Sequence, residues 1–205
     1  MSVCYIVGAG DFAPFVKAPS DLVIAADGGL DHLTAAGIAP DLIVGDLDSL
    51  KGELPRGIEL LRFPPKKDYT DTHLCYLEGV RRGYRDFVLT GATGGRPDHT
   101  FANYSLLLSV FKDGNRAVMI DERYSYTVVY KGSVSIADLG GKPNKYLSVF
   151  ALGGSARGVS LKGVEYEVTG VELTCDFPLG VSNKVVASEG FVSVESGALL
   201  VMLEK

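Results

Sequence analysis

Two aspartates, Asp46 and Asp48, stand two residues apart in the segment LIVGDLDS, directly after a short apolar run. In an extended or turning backbone, two such carboxylates can face one hard cation. Mg²⁺ takes one or two carboxylates in proteins and fills its other positions with water or phosphate oxygens. The pair therefore indicates either a magnesium site or a plain turn in which an aspartate caps the chain.

A second segment, GGRPDH at residues 94–99, has the composition of an anion site. The paired glycines allow the backbone to approach a ligand closely. Arg96 can place two N–H groups on phosphate oxygens, and the start of the helix that follows favours negative charge. A simple turn is the alternative interpretation.

Two further acidic segments complete the set. Asp27 follows the apolar run VIAA and precedes Gly28 and Gly29, and KKDYTD at residues 66–71 offers lysine charge, a capping group and the carboxylate of Asp71. Taken alone, the second of these is a plain helix start. Whether either segment belongs to a functional site depends on the strands and helices that position it.

The first 120 residues alternate short apolar runs with helix-length stretches, as expected for an α/β domain with a mostly parallel sheet and helices on both faces. Helices are predicted over Thr70–Arg82, with Asp68 or Thr70 as the N-cap, and over Thr100–Lys112. Because ligands bind outside the carboxyl ends of strands in such sheets, the segments above are expected to meet in one site. The strands, each predicted to be buried on both faces, are Val3–Val7, Leu22–Ala26, Leu42–Val44, Leu60–Phe63, Phe87–Thr90 and Val118–Ile120.

The pattern changes after about Glu122. Short β-branched or aromatic runs are separated by glycine or proline breaks every ~8–12 residues, which is typical of an all-β sandwich or barrel. We therefore predict an α/β catalytic domain over residues 1–123 and an all-β sandwich over residues 124–205. The β runs are YSYTVVY, YLSVFAL, GVEYEVTGVEL, NKVVA, FVSVE and LLVML.

Composition excludes several classes. The chain of 205 residues has a formal net charge of −5 and no basic tract, so general nucleic-acid binding is not expected. Its three cysteines and three histidines show no disulfide framework and no zinc spacing, which favours a reducing, cytoplasmic location. No apolar run approaches the ~20 residues of a membrane span, and the N-terminus lacks the pattern of a signal peptide.

Two other motifs compete with this interpretation. The segment GAGDFA at residues 8–13 matches a dinucleotide-binding fingerprint, but only residues 11–20 are left for the helix that this fold requires, and they include Pro14 and Pro19. LIVGDLDS also resembles the strand and D-x-D of haloacid-dehalogenase-type phosphatases. That chemistry needs further acids and a lysine later in the same domain, whereas this chain turns into a β domain.

The ordered series of motifs resembles the thiamine pyrophosphokinase family. The resemblance covers about residues 20–203 and rests on the segments 26–29, 40–49, 67–71, 91–103, 163–166, 182–183 and 197–202. It implies a homodimer in which thiamine lies between the catalytic domain of one subunit and the β domain of the other. It also implies transfer of the pyrophosphoryl group of ATP to the hydroxyl of thiamine, with Mg²⁺, to give thiamine diphosphate and AMP.

The resemblance also assigns roles to residues. The catalytic set is Asp46, Asp48, Asp71, Arg96 and Asp98, of which Asp46, Asp48 and Asp71 are the expected Mg²⁺ ligands. The expected ATP-binding residues are Asp27, Gly28, Gly29, Lys67, Asp68, Thr70, Gly94, Gly95 and His99, and the expected thiamine-binding residues are Ser182 and Asn183. A related phosphotransferase that acts on another alcohol and a non-catalytic nucleotide or thiamine sensor are the alternatives.

Overall fold

A computed structural model describes residues 2–46, 57–64, 66, 68–187 and 189–205. Its contacts divide the chain into two compact units. The first consists of residues 1–106 and 115–122, and the second of residues 107–114 and 123–205. The assignment of catalysis to 1–123 and of thiamine binding to 124–205 stays a prediction.

The first unit is built on a parallel sheet. Every neighbouring pair of its strands is parallel, as the buried apolar runs predict. Among the described residues the strands are, in spatial order, β6 (Arg116–Ile120), β5 (Asp86–Thr90), β1 (Val3–Val7), β2 (Leu22–Ala26), β3 (Leu42–Gly45) and β4 (Glu59–Arg62).

Helices cover both faces of this sheet. Leu33 of α1 (Gly29–Ala35) packs with Val23 on one face. Gly79 of α2 (Asp71–Arg81) lies against Phe87 and the Cys4 sulfur on the other face. Successive side chains of a strand point to opposite faces, and the register places Val23 and Cys4 on opposite sides. The predicted three-layer α/β arrangement is confirmed.

The local predictions hold with three differences. Thr70 is the N-cap of α2, and its side chain accepts a hydrogen bond from the His73 backbone at 3.2 Å, as predicted. The third helix, α3 (Pro97–Lys112), begins three residues before the predicted Thr100, since proline is well suited to a first helical turn. The short α1 was not predicted. The expectation that residues 60–63 are buried on both faces is wrong, because β4 lies at the edge of the sheet formed by the described residues and its ends are exposed.

The second unit is rich in antiparallel strands around one apolar core, which confirms the predicted β-rich half. Its longest strand is the centre of the pairing. Residues 191–196 of that strand pair with β7 and β9, and residues 198–204 pair with β7 and β8. The strands are β7 (Tyr124–Ser135), β8 (Tyr146–Ala151), β9 (Ala156–Lys162), β10 (Val168–Leu173), β11 (Asn183–Lys184) and β12 (Phe191–Glu204).

One predicted break in this unit is absent. The runs FVSVE and LLVML read as two strands, but both belong to β12. The register shifts between Val194 and Ala198, and Gly197 takes a positive φ of 89° at this irregularity. The glycine thus supports a bulge inside a continuous strand rather than a turn between two strands.

Among the described residues, no helix combines the length and the apolar character needed to cross a membrane.

Candidate active site

The candidate site lies where the strand order of the first unit reverses. The chain builds β1 to β4 in one direction and then places β5 on the other side of β1. Ligands of open α/β sheets bind at such a switch point, outside the carboxyl ends of the strands. A cavity of about 450 Å³ opens there. It is lined by Gly8, Ala9, Gly10, Ala26, Asp27, Asp46, Asp71, Thr72, Gly91, Ala92, Thr93, Gly94, Gly95, Arg96, His99 and Asn103.

Two loops at the switch point are joined through their backbones. The N–H groups of Gly8, Gly10 and Asp11 donate to the carbonyls of Thr90, Gly91 and Thr93 at 2.7–2.8 Å, and Gly91 N–H donates to Asp11 O at 3.0 Å. These bonds fix the wall of the cavity next to β1 and β5.

Gly91 makes this close approach possible. Its φ of +64° lies in the left-handed region, and a Cβ at this position would overlap the carbonyl oxygen of Gly8. Only a residue without a side chain meets both conditions at no cost in strain.

The same bonds argue against the dinucleotide interpretation of residues 8–13. In that fold the glycine-rich turn presents backbone N–H groups to a pyrophosphate and leads directly into a helix. Here the N–H groups of Gly8, Gly10 and Asp11 are bonded to the neighbouring loop, and residues 12–20 are not helical. Its glycines therefore serve the packing of one loop on the other. Residues 8–10 also line the cavity.

Asp27 has an unusual environment. Its backbone takes a positive φ of 47°, and its N–H donates to Val44 O at 2.9 Å. Its Oδ1 is buried and, among the described residues, has no hydrogen-bond partner. A buried acceptor left unpaired costs about 1–3 kcal/mol, so this oxygen is suited to receive a ligand.

Two other predicted carboxylates share the cavity with Asp27. Asp46 follows the last residue of β3, and Asp71 is the first residue of α2. Asp48 and Lys67 lie outside the described residues. Within the described ranges, no three His, Cys, Asp or Glu side chains form a group that could hold a metal ion. Since Mg²⁺ needs only one or two protein carboxylates beside phosphate and water, Asp46 and Asp71 still fit it.

Arg96 and Asp98 form a two-point ion pair at the start of α3. Arg96 donates from Nε to Oδ1 at 3.2 Å and from Nη2 to Oδ2 at 2.6 Å. Both side chains are exposed. The hydrogen bond from Arg96 holds the pKa of Asp98 below its ordinary value. Arg96 and His99 line the cavity, so the guanidinium of this ion pair lies at the cavity wall.

The remaining predicted nucleotide residues take different positions. Gly94 and Gly95 line the cavity with φ of 72° and 58°. Gly28 is the N-cap of α1, and Gly29 packs against the Val7 carbonyl. Thr70 caps α2, and neither it nor Asp68, Gly28 or Gly29 belongs to the lining found among the described residues.

Several lining residues were not assigned by sequence reasoning. Ala9, Thr72, Thr93 and Asn103 belong to this group, as do the glycines of residues 8–10. Asn103 donates from Nδ2 to Ala92 O at 2.7 Å and so holds the loop after β5 on α3. The G-x-G segment at residues 8–10, directly after a strand, is the one sequence signal for part of this group, although the dinucleotide fingerprint that it resembles is not formed.

The predicted thiamine residues lie in the second unit and differ from one another. Asn183 is buried and makes three hydrogen bonds of 2.9–3.0 Å, with the Tyr166 backbone at both N–H and C=O and with Lys184 N–H. Ser182 is exposed, takes a positive φ of 58°, and is tied through its backbone N–H to Ser148 Oγ at 3.0 Å. Asn183 therefore joins its own strand to the segment around Tyr166, whereas the Ser182 side chain faces solvent.

Two family models match this chain, one in each half of the sequence. The model of the thiamin pyrophosphokinase catalytic domain matches residues 16–119, and the model of the thiamin pyrophosphokinase vitamin B1 binding domain matches residues 134–199. Thiamine pyrophosphokinase of Bacillus subtilis is 28% identical over 186 residues, which cover 88% of this chain and 86% of that protein.

Solved structures share the fold over the whole chain. The crystal structure of thiamine pyrophosphokinase from Bacillus subtilis superposes with a TM-score of 0.86 at 22% identity, covering 100% of this chain and 99% of that one. A thiamin pyrophosphokinase family protein from Enterococcus faecalis gives a TM-score of 0.80 at 26% identity, covering 100% and 98%. Because both family models match and together span most of the sequence, the chain belongs to the thiamin pyrophosphokinase family and is an enzyme with that family's activity.

Proposed function

We propose that this chain transfers the pyrophosphoryl group of ATP to the primary hydroxyl of thiamine. The hydroxyl oxygen forms a bond to the β-phosphorus, the bond from that phosphorus to the oxygen of AMP breaks, and the hydroxyl proton is released. The products are thiamine diphosphate and AMP. The observation that carries the proposal is the cavity at the switch point, where carboxylates, glycines and Arg96 converge within the segment matched by the catalytic-domain model.

Asp46 and Asp71 are the described residues that would hold Mg²⁺, and Asp48 is the third ligand expected from the sequence. When bound, the cation would neutralise charge on the triphosphate and polarise the phosphorus under attack. Asp27 lies at the same cavity with a buried oxygen that has no hydrogen-bond partner in the described part of the chain, which suits a ligand that donates hydrogen bonds or carries positive charge. Transfers of this type depend on such positioning and charge neutralisation more than on covalent catalysis.

Arg96 would bind the phosphate groups from the mouth of the cavity. Its planar guanidinium can place two N–H groups on two oxygens of one phosphate. Asp98 holds that guanidinium in place through two hydrogen bonds. Because the pKa of Asp98 is lowered, its carboxylate is a weak base, so we assign it the positioning of Arg96 rather than the acceptance of the hydroxyl proton.

Gly94, Gly95 and His99 would form the rest of the phosphate end. The two glycines line the cavity directly before Arg96, and α3 begins two residues after Gly95. A helix N-terminus favours negative charge through its unpaired N–H groups. This order of glycine loop, arginine and helix start supports a polyphosphate ligand at this wall.

The thiamine end is proposed from the second unit. Ser182 is exposed, and two aromatic residues of the same unit, Tyr166 and Phe177, are candidates for stacking on thiamine. Both are well exposed, with 67% and 64% of their surface accessible. We propose that the active form is a homodimer in which these residues reach thiamine bound to the partner subunit.

The reaction is tested by measuring AMP release from ATP and Mg²⁺ with and without thiamine. AMP formed only with thiamine, together with thiamine diphosphate, supports the proposal. Asp46→Asn and Asp71→Asn are each expected to lower kcat by about 100-fold or more, because each removes charge that faces the phosphates. Asp31→Asn is the matched control, since Asp31 is an exposed aspartate of α1 in the same unit.

Other outcomes have distinct meanings. ADP or free phosphate as the product, or turnover with a different alcohol, would identify a related phosphotransferase. Binding of ATP and thiamine without product would identify a sensor. Normal turnover by Asp46→Asn and Asp71→Asn, with Asp31→Asn also normal, would contradict the assignment of these carboxylates.

A further inference from the structure

Asp121 is a buried carboxylate that no step above uses. It is the first residue after β6, and the register of the parallel pair places Ile120 beside Thr90. Asp121 therefore stands at the same carboxyl edge as Gly91, where the cavity opens. Its exposed fraction is 7%, and that of Thr93, a residue of the cavity wall, is 5%. Thr93 Oγ1 donates to Asp121 Oδ2 at 3.1 Å.

Burial makes this contact strong. A carboxylate that leaves water loses favourable hydration and is kept inside a protein only where hydrogen bonds replace it. Because both side chains are buried, removing Asp121 would leave the Thr93 hydroxyl without this hydrogen bond in a place where water does not readily replace it.

The loop that contains Thr93 is also held by hydrogen bonds from Asp11 and Asn103. The carbonyl of Thr93 accepts from Asp11 N–H at 2.7 Å, and the carbonyl of Ala92 accepts from Asn103 Nδ2 at 2.7 Å. The next residue, Gly94, lies directly against the Asp11 carboxylate. Asp121 adds a buried side-chain contact to this loop, which leads into Gly95 and Arg96.

We propose that Asp121 is a positioning residue of this enzyme: through Thr93 it fixes the loop over residues 91–95 in the conformation that receives the phosphates of ATP. The proposal rests on the proposed function for the identity of the ligand. Asp121 does not itself line the cavity, so its effect is on how well the loop is preorganised rather than on a direct contact. Loss of such preorganisation weakens binding because the ligand must then order the loop.

The test measures ATP affinity by titration calorimetry with Mg²⁺ present and thiamine absent, together with steady-state kinetics. Asp121→Ala and Thr93→Val are each expected to weaken ATP binding and raise KM for ATP by roughly tenfold, with kcat and KM for thiamine changed less than about twofold. The double variant should bind ATP no more weakly than Asp121→Ala alone, because Thr93→Val removes a contact that Asp121→Ala has already removed. Thr93→Ser keeps the hydroxyl and should retain wild-type affinity.

A matched control lies at the other end of the same two strands. Asp86 pairs with Arg116 at 2.6 Å on the surface, so Asp86→Asn should leave ATP affinity unchanged. Wild-type protein that fails to bind ATP would overturn the proposed function itself. Wild-type binding with equal binding by Asp121→Ala would overturn only the role of Asp121. If Asp121→Ala does not fold, equal affinity of Thr93→Val and Thr93→Ser would overturn it.

Discussion

The two units hold their predicted ligand residues in different ways. In the first unit the loops around the cavity are joined mainly by backbone hydrogen bonds between residues 8–11 and 90–93. The nearby Asp27 is left with a buried oxygen that has no partner among the described residues. In the second unit, the side-chain amide of Asn183, a predicted thiamine-binding residue, makes three hydrogen bonds to the backbone.

This difference distinguishes polar residues that stabilise the fold from polar residues that take part in binding or catalysis. A side chain whose polar atoms are consumed by the backbone supports the fold, and its removal destabilises the protein. A side chain left unpaired beside a cavity supports chemistry, and its removal changes activity with little loss of stability. The comparison therefore makes different predictions for the two units.

The largest expected change in stability comes from breaking the backbone junction at the cavity. Gly91→Ala would force a Cβ against the carbonyl of Gly8 at a positive φ, so we expect a loss of about 3 kcal/mol in the free energy of unfolding. Gly37→Ala is the matched control, since Gly37 has a similar φ of +68° and no atom of the described residues lies near the added Cβ. It should cost about 1 kcal/mol, which is the strain of the left-handed region alone.

Urea unfolding of the two variants measures both quantities. Equal losses for Gly91→Ala and Gly37→Ala would show that the junction between the loops is not tight. ATP binding by Gly91→Ala should also fall, whereas Gly37→Ala should bind like the wild type because it lies away from the cavity lining.

In the second unit, Asn183→Ala should cost about 2 kcal/mol of stability, because Asn183 is buried and its removal takes away three hydrogen bonds to the backbone of Tyr166 and Lys184. Ser182→Ala, one residue earlier, removes only an exposed hydroxyl, and its free energy of unfolding should equal that of the wild type. If thiamine binding depends on Ser182, KM for thiamine rises in Ser182→Ala without a change in thermal stability. A stable Asn183→Ala protein that has lost only thiamine affinity would contradict the structural role of Asn183.

The sequence predicts the first unit well because its signals are local and its topology follows general rules. Buried apolar runs fix β1 and β2 at the predicted bounds, and the rule for ligands at the carboxyl ends of strands brings Asp27, Asp46 and Gly94 to one cavity. The rule does not say which loops touch each other. The role of residues 8–10 was missed for that reason, because backbone junctions between distant loops leave no side-chain pattern.

The second unit shows the limits of periodicity more clearly. The break in β12 looks like a turn because a glycine interrupts two apolar runs, and only the pairing with β7 on both sides shows that the strand continues. The strand β9 was missed, since Gly158 interrupts the alternation of ARGVSLK and leaves only four alternating residues after it. Which of the adjacent residues Ser182 and Asn183 is buried depends on contacts with residue 166, which no local pattern reveals.

The smallest expected effect compares two glutamates with lowered pKa values. Hydrogen bonds from Arg81, and then from Arg82, hold the pKa of Glu78 in the first unit below its ordinary value of 4.5. The pKa of Glu167 in the second unit is lowered mainly by the Gly163 backbone N–H and then by Lys162. The side chain of Glu78 is 10% exposed and that of Glu167 is 45% exposed, so solvent screens the second glutamate far more.

A carboxyl with a lowered pKa binds its proton less readily in the folded state than in the unfolded state. It therefore stabilises the fold above its unfolded pKa, and this stabilisation is lost as the pH falls from 4.5 through the folded pKa. Glu78→Gln should lower the free energy of unfolding by about 1–2 kcal/mol at pH 7 and flatten its fall in acid. Glu167→Gln should leave the same curve nearly unchanged. Urea unfolding from pH 7 to pH 3 decides the point: parallel curves for Glu78→Gln and the wild type would mean that the arginine pair does not stabilise the first unit through Glu78.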